Sequence, residues 1–575
     1  MTSASRRWRC AVLAVVALLL SACASMPTSG PVVRIGRVAA APQDEGFAIA
    51  PRPPQKGASP TEVVQGFLDA MQATPIQATV ARRYLARSIA DSWDPQHETI
   101  TYADESPPRG SDIVSVDLQG ADHLDAQGVW QGPAGVAESQ LHFPMVLEDG
   151  EWRIAAAPNA LIVPQSWFDS RFTQVSLYFF DPTGRILVPE PAFVPRGTQL
   201  ATTLVRALVA GPSDSLSGVV RTFLPAGVST GLSVPVDDHG VAAVDLKGDL
   251  GQQSAHAVQL MTAQLAWTLR QDEAIGALRI SIGGRPVERS SSGKVPITTG
   301  EQYDPGGYQS SEHLYGVDNG LVVVRAGTSA SAVPGALGAI PHALRSVAIA
   351  LDATRAAAVS ADGHRLVSAR LEPGGRAHIR MTGSDLLRPA WDYAGRLWVV
   401  DRTARGAVVY VSGRQGMQQL VVPGITGQNV RRFLVSRDGS RIVALVRHPE
   451  GDDVVVSRVR SSDQGAVTGA ADAQEISDLG AGTRIRDIGW HSPTSVVTLQ
   501  QLSGTALIRT LSVDGAVSGF PAVALTVGDR LSALVASPLA SDPLYAVAGG
   551  TLLDLSGDAG STRLPGGLTA LGYVG

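Results

Sequence analysis

Cysteine is nearly absent from this chain of 575 residues, which contains only Cys10 and Cys23. Two cysteines cannot build a disulfide framework or a thiolate metal cluster. Lysine is almost as scarce, at Lys56, Lys247 and Lys294, so the basic charge is carried by arginine. That bias, with abundant alanine, is typical of a GC-rich genome and points to an actinobacterial source. The formal net charge of −5 is mild for this length and leaves no electrostatic footprint for nucleic acid. The apolar run Ala11–Leu20 falls far short of the roughly 20 residues a membrane-spanning helix needs. The 11 histidines show neither metal-ligand spacing nor an H-E-x-x-H pattern. No metal or cofactor is expected.

What is present begins with an export signal. Arg6, Arg7 and Arg9 precede the apolar run, and the small residues Ser21 and Ala22 follow it, immediately before Cys23. This is the order of a secretory signal: basic region, apolar region, small-residue cleavage site. Leu20-Ser21-Ala22-Cys23 resembles the bacterial lipobox. That resemblance implies that residues 1–22 are removed and that Cys23 becomes the N-terminus, carrying an S-diacylglycerol and an N-acyl chain. Each buried methylene contributes about 0.8 kcal/mol, so several long chains hold a protein firmly on a membrane. Cys10 is lost with the signal. Arg6-Arg7 raises twin-arginine export, but the residues after it match that signal poorly, and the general secretory route is favoured.

The length exceeds what one hydrophobic core supports, so several domains are expected. The 61 glycines and 36 prolines indicate many turns. Residues 23–58, with Pro51-Arg52-Pro53-Pro54, read as the lipidated N-terminus and a proline-rich tether. Ser59-Pro60-Thr61-Glu62 combines a cap, a first-turn proline and a capping-box glutamate, and Val63, Val64, Phe67, Leu68 and Met71 follow on one helical face. A second helix is expected through Val80, Tyr84 and Leu85, then strands at Thr99–Tyr102, Ile113–Leu118, Gln140–Leu147 and Trp152–Ala156, with a hairpin turn at Asp149-Gly150. This predicts a small α+β roll over 59–168.

A second α+β domain is expected over 169–290. Its strands are Val175–Phe180, Val241–Leu246 and Leu278–Ile282. Its helices are one capped by Thr198 and stopped at Gly211-Pro212, and one over Ser254–Gln271. The segments VSLYFFDPTGRILVPE, LVRALVAGP, TFLPAG, VAAVDL and QLAWTLRQ, in this order, resemble the GerMN domain. Residues 291–311 read as a linker, with the stretch Ser290–Gly307 the most open to proteases. From 312 to 575 short apolar segments restart after turns near Asp352, Asp392, Asp438, Ser492 and Ser541. Spacing of that kind predicts a β-propeller of five or six blades, opened by HLYGVDNGLVVVRAG, in preference to a β-sandwich.

The order of lipobox, tether, α+β roll, GerMN-like domain and propeller resembles the actinobacterial LpqB lipoprotein family across essentially the whole chain. The resemblance implies a non-enzymatic regulatory role outside the cytoplasm. In that role a membrane-anchored lipoprotein modulates the MtrA–MtrB two-component system, and the extracellular region of an MtrB-like sensor histidine kinase is the partner.

The residues themselves offer little chemistry. Gly227-Val228-Ser229-Thr230-Gly231 fits G-x-S-x-G, but Leu232–Val236 alternates like a strand and contains Pro235, so no helix follows to complete a nucleophile elbow. No catalytic residue is assigned. Asp237-Asp238 and Asp452-Asp453 read as solvated turn residues. Gly293-Lys294 lacks the rest of a P-loop. Trp391, Trp398 and Trp490 suit blade cores better than a sugar groove. A glycan-binding propeller and an envelope hydrolase are the competing functions.

Overall fold

The structure is a computed structural model. It describes residues 51–575 apart from 74–75, 77, 288–292, 328, 478–479, 481, 518–524, 557–561 and 565–566. Cys23 and the signal segment lie outside the described residues.

Ser59 starts the first helix, Pro60–Met71, as its sequence dictates. The Glu62 amide donates to Ser59 Oγ (3.4 Å), and the Ser59 amide donates to Glu62 Oε2 (2.8 Å). The apolar face of the helix, Val63, Val64, Phe67, Leu68 and Met71, is buried, and Phe67 lies 5.4 Å from Trp93 and 5.9 Å from Phe143, ring centre to ring centre. Two four-stranded sheets complete this domain. Thr99–Tyr102 pairs antiparallel with Asp122–Leu124 and parallel with Leu161–Pro164, while Ile113–Gln119 pairs with Gln140–Glu148. The Asp149-Gly150 turn has φ of 53° and 80°, as a two-residue hairpin of the primed type requires. The second helix expected here is only a 3₁₀ turn, Ala81–Tyr84, followed by a short helix, Arg87–Ala90.

In the second domain, Phe172–Phe180 pairs antiparallel along its whole length with Leu187–Pro195. Val241–Lys247 lies parallel to Ala277–Ile282. The helix Leu200–Ala210 has Gln199, not Thr198, at its N-cap, and no side chain caps it. Ser254 does cap the helix Ala255–Leu269, accepting from the Ala257 amide at 3.1 Å. Residues 260–269 of this helix, Gln264 and Thr268 included, are buried on every side.

The reason is the following segment, which does not behave as an open linker. Val295–Pro296 adds to the strand Ala277–Ile282, and Trp267 Nε1 donates to the Gly300 carbonyl at 2.8 Å. Tyr303 stands edge-on to Phe180 at 5.1 Å. The expectation of a protease-sensitive stretch is therefore corrected for residues 293–307, which pack on the second domain and, at Gly306, on the propeller.

Among the described residues the remainder is a propeller of six blades, each four-stranded except the fourth, to which the short strand Gln474–Glu475 is added. Blade one is made from both ends of the domain: Leu314–Asp318, Leu321–Ala326 and Ser329–Ala332 are joined by the C-terminal strand Thr569–Gly572, which lies innermost. The ring is thus closed by hydrogen bonds between distant parts of the chain, and only the short inner edges of the blades face the central channel. The Asp/Gly turns seen in the sequence are the connections between the first and second strands of successive blades. Gly395 donates to the Asp392 carbonyl (2.9 Å), and Gly439 to that of Ser436 (2.8 Å).

Candidate functional site

The turns that repeat along the propeller converge on one face, where the second domain is seated. The tight turn Asp181-Pro182-Thr183-Gly184 projects from the hairpin of that domain, with Gly184 at φ 70°. Its geometry comes from Asp181, whose Oδ1 accepts from the amides of Arg185 (2.7 Å) and Ile186 (3.0 Å). Asp181 Oδ2 accepts from the Thr183 amide (3.0 Å), from Thr183 Oγ1 (2.5 Å) and from the Tyr393 hydroxyl of blade three (2.5 Å). Burial, and then the Asp181 charge, push the Tyr393 phenol well above its usual range, so it stays a hydrogen-bond donor. Behind this contact lies a chamber of about 180 Å³ lined by both domains, with Arg185, Arg396, Asp438 and Ser440 among its walls. Arg396 is held by Asp392 at 2.5 Å and donates to Ser461 Oγ and the Gly465 carbonyl, both at 3.1 Å, locking blade three to blade four.

Beside the chamber is a group of ions removed from water. Arg441 is fully buried, and its Nη2 donates to the Pro189 carbonyl of the second domain at 2.5 Å. Its Nη1 lies 3.8 Å from Asp438 Oδ2. Arg458 faces Arg441 across the strand pair of blade four. Burial, and then Arg441, lower its guanidinium to about 10, while Asp514 and Glu190 favour its charge. Glu190 accepts from the hydroxyl and the amide of Ser213, and burial raises its pKa. Asp514, just after the third strand of blade five, is raised by the same cause. Charges this deep persist only when they offset one another. The ion group therefore makes the seating of the second domain specific.

Two further contacts fix the joint. Arg437 Nη1 donates to the Gly306 carbonyl (2.6 Å), and its Nη2 to the Val574 carbonyl (3.1 Å), tying the incoming segment to the closing strand. The first domain reaches the same face. Trp130 packs on Gly515, where an added Cβ would lie 2.8 Å from the indole. From the second domain, Gln174 Nε2 donates to Ser512 Oγ at 3.1 Å.

The residues singled out in the sequence fall elsewhere. Ser229 is exposed on the short edge strand Ser229–Thr230, and the next residue, Gly231, continues onto the Asp245 carbonyl (2.9 Å); no helix starts there. Trp391, Trp398 and Trp490 are buried in the blades, and Trp391 Nε1 and Trp490 Nε1 donate to the Ala348 and Val435 carbonyls. Asp237 is a turn residue accepting from the His239 and Val241 amides, both at 2.9 Å. Asp452 is not the solvated turn residue expected. It is buried between Arg447 (2.7 Å) and Arg484 (2.9 Å) and accepts from the Ile485 amide. Burial alone would raise its carboxyl, but these bonds hold it below the usual value. Among the described residues no group of three or more His, Cys, Asp or Glu is placed to hold a metal. Arg437, Arg441, Arg458 and Asp514 carried no sequence signal of their own, because the letters alone do not tell a buried charged residue from an exposed one.

Three family models match the chain: "Lipoprotein LpqB, N-terminal domain" over residues 53–169, "Sporulation and spore germination" over 176–288, and "Lipoprotein LpqB beta-propeller domain" over 320–564. A relative named Lipoprotein LpqB from Cutibacterium acnes is 28% identical, with 92% of each chain covered. Another of that name from Streptomyces coelicolor is 28% identical, covering 89% of this chain and 91% of its own. Among solved structures, a chain of a nidogen/laminin complex aligns with a TM-score of 0.34 at 13% identity, over 45% of this chain and 97% of its own.

Proposed function

Since the chain belongs to the LpqB lipoprotein family, we propose that it is a lipid-anchored accessory protein outside the cytoplasm that modulates a sensor histidine kinase of the MtrB type by binding its extracellular region. The observation that carries this reading is the joint between the second domain and the propeller. An accessory protein must transmit position, and here the Asp181–Tyr393 contact and the buried ion group make these two domains move together. Cys23, acylated as the lipobox implies, supplies the anchor. No helix among the described residues is long and apolar enough to cross a membrane. The 27 residues between Cys23 and Pro51 span at most about 85 Å if extended at ~3.1 Å per residue, so the domains stay within reach of a kinase ectodomain. A sugar groove is less well supported, because the three propeller tryptophans that would line it are in blade cores.

The test is reconstitution of the acylated chain with the full-length kinase in vesicles. Kinase phosphorylation should change with the chain present and should keep that response with Ser229→Ala. The membrane-proximal residues 59–290 are expected to carry the contact, so their removal should abolish the effect. Unaltered phosphorylation, together with turnover of an envelope substrate, would replace this reading with the hydrolase.

A further inference from the structure

The propeller face opposite the joint carries a repeated feature that the accessory role does not use. The innermost strand of each blade ends at the joint, so its first residues lie at the other mouth of the central channel. At that end the pairing slips by one residue between Leu344 and Ser346, between Val430 and Arg432, and between Ile485 and Asp487. The extra residue is arginine in these three blades, Arg345, Arg431 and Arg486, whereas the same slip in blade six, between Leu531 and Ala533, leaves Ser532. In blade three, Leu386 bridges Asp401 while Ala390 pairs with Trp398, which leaves one extra residue in the interval holding Arg388. A bulge re-aims a side chain. Four consecutive blades thus bring an arginine to the same rim.

Pairing of charge at this rim is incomplete. Asp385 is shared by Arg345 and Arg402, Asp452 by Arg447 and Arg484, and Asp487 is taken by Arg432 (2.9 Å) and the Leu534 amide (2.9 Å). Asp401 is occupied by the Ser384 and Asp385 amides. Among the described residues, Arg388, Arg431 and Arg486 form no ion pair. Arg388 donates to the Leu571 carbonyl of blade one (3.1 Å), across the channel mouth, and remains exposed. Gly572 makes room for it, since a Cβ there would overlap the guanidinium. Burial lowers the Arg431 pKa, and Arg402, Arg447 and Arg432 beside it lower it further, against the pull of Asp452.

We propose that this mouth is a binding site for a phosphate group, entered end-on along the propeller axis and held by Arg388, Arg431 and Arg486. Guanidinium groups arriving from separate blades suit a tetrahedral oxyanion, whose oxygens point several ways, better than a carboxylate, which presents one edge. The crowding of like charge around Arg431 is a cost that Asp452 offsets only in part and that a bound anion would reduce further. A soluble phosphate ester and an anionic lipid headgroup share this chemistry. The site stands apart from kinase modulation and can fail without affecting it.

The experiment uses the mature chain from Ala24 onward, without acyl groups. Pyrophosphate is titrated calorimetrically, and flotation is measured with phosphatidylcholine vesicles with and without phosphatidylglycerol. Pyrophosphate should bind, and Arg388→Gln and Arg431→Gln should each weaken it by about tenfold or more. Arg380→Gln, on an outer strand of blade two, should leave binding unchanged. Flotation only with phosphatidylglycerol, lost in the same two variants, assigns a lipid headgroup; pyrophosphate binding without flotation assigns a soluble ester. Because the two variants relieve like-charge crowding, amide protection in the blade cores without ligand should not fall, which separates lost binding from lost fold. Absence of pyrophosphate binding, equal binding by all variants, or binding of an acidic peptide in place of phosphate would overturn the proposal.

Discussion

Replacing Arg441 with methionine tests whether the buried ion group holds the second domain to the propeller. The side chain is fully buried, donates to the Pro189 carbonyl, and lies beside Asp438 and close enough to Glu190 to lower its pKa. Methionine keeps most of the volume and removes the charge. Breaking a buried ion pair from one side costs roughly 3–5 kcal/mol, because the partner is left uncompensated. As a shift in the opening of the joint, that is roughly two to three and a half powers of ten. A chain of several domains does not unfold in one step, so a single melting temperature is the wrong measurement. Amide hydrogen exchange reads the opening directly. Protection should fall by that factor over Leu187–Pro195 and over the turn 436–441, while the cores of blades one and two stay protected. Adding Glu190→Gln should recover part of the loss, because it removes a charge that Arg441 had offset. Unchanged protection at the joint in Arg441→Met would refute the assignment of docking to this group.

The fold was legible where periodicity and turn chemistry act locally. The capping box at Ser59, the Asp149-Gly150 hairpin and the Asp/Gly turns of the blades each follow from a few adjacent residues. Blade number was less legible, because the inner strand of blade one, Thr569–Gly572, comes from the far end of the chain and has no local signature. The segment 293–307 misled for a related reason. Its small and polar residues resemble a linker, yet Gly300 serves close packing, since a Cβ there would lie 2.5 Å from that of Ala263. Asp452 shows the same limit for the sites: Arg447 is near in sequence, but Arg484 arrives from the next blade. The arginine bulges were visible as letters, in ALRS, LLRP, NVRR and RIRD, but only the register shift of the strands gives them a common direction.

Cys23→Ser should leave the precursor unprocessed and move the protein out of the acylated membrane fraction, read by labelling with a fatty-acid analogue. Gly515→Val should undock the first domain, because φ is 87° there and Trp130 already fills the space a side chain would need; exposure of Trp130 to a fluorescence quencher would show it. The joint should also respond to pH through Asp514. Its carboxyl is buried and burial raises its pKa, so the docked state binds a proton more tightly than a state in which that carboxyl meets water. A raised acid contributes stability that is fully present below its undocked pKa and is lost as pH rises through the docked one. Protection at the joint, relative to the intrinsic exchange rate, should therefore decline as pH rises from the ordinary carboxylate range upward. Asp514→Asn keeps the shape, never ionises, and should flatten that part of the decline. A slope in Asp514→Asn equal to that of the parent chain would show that Asp514 is ionised in both states and that Arg458 fully offsets it.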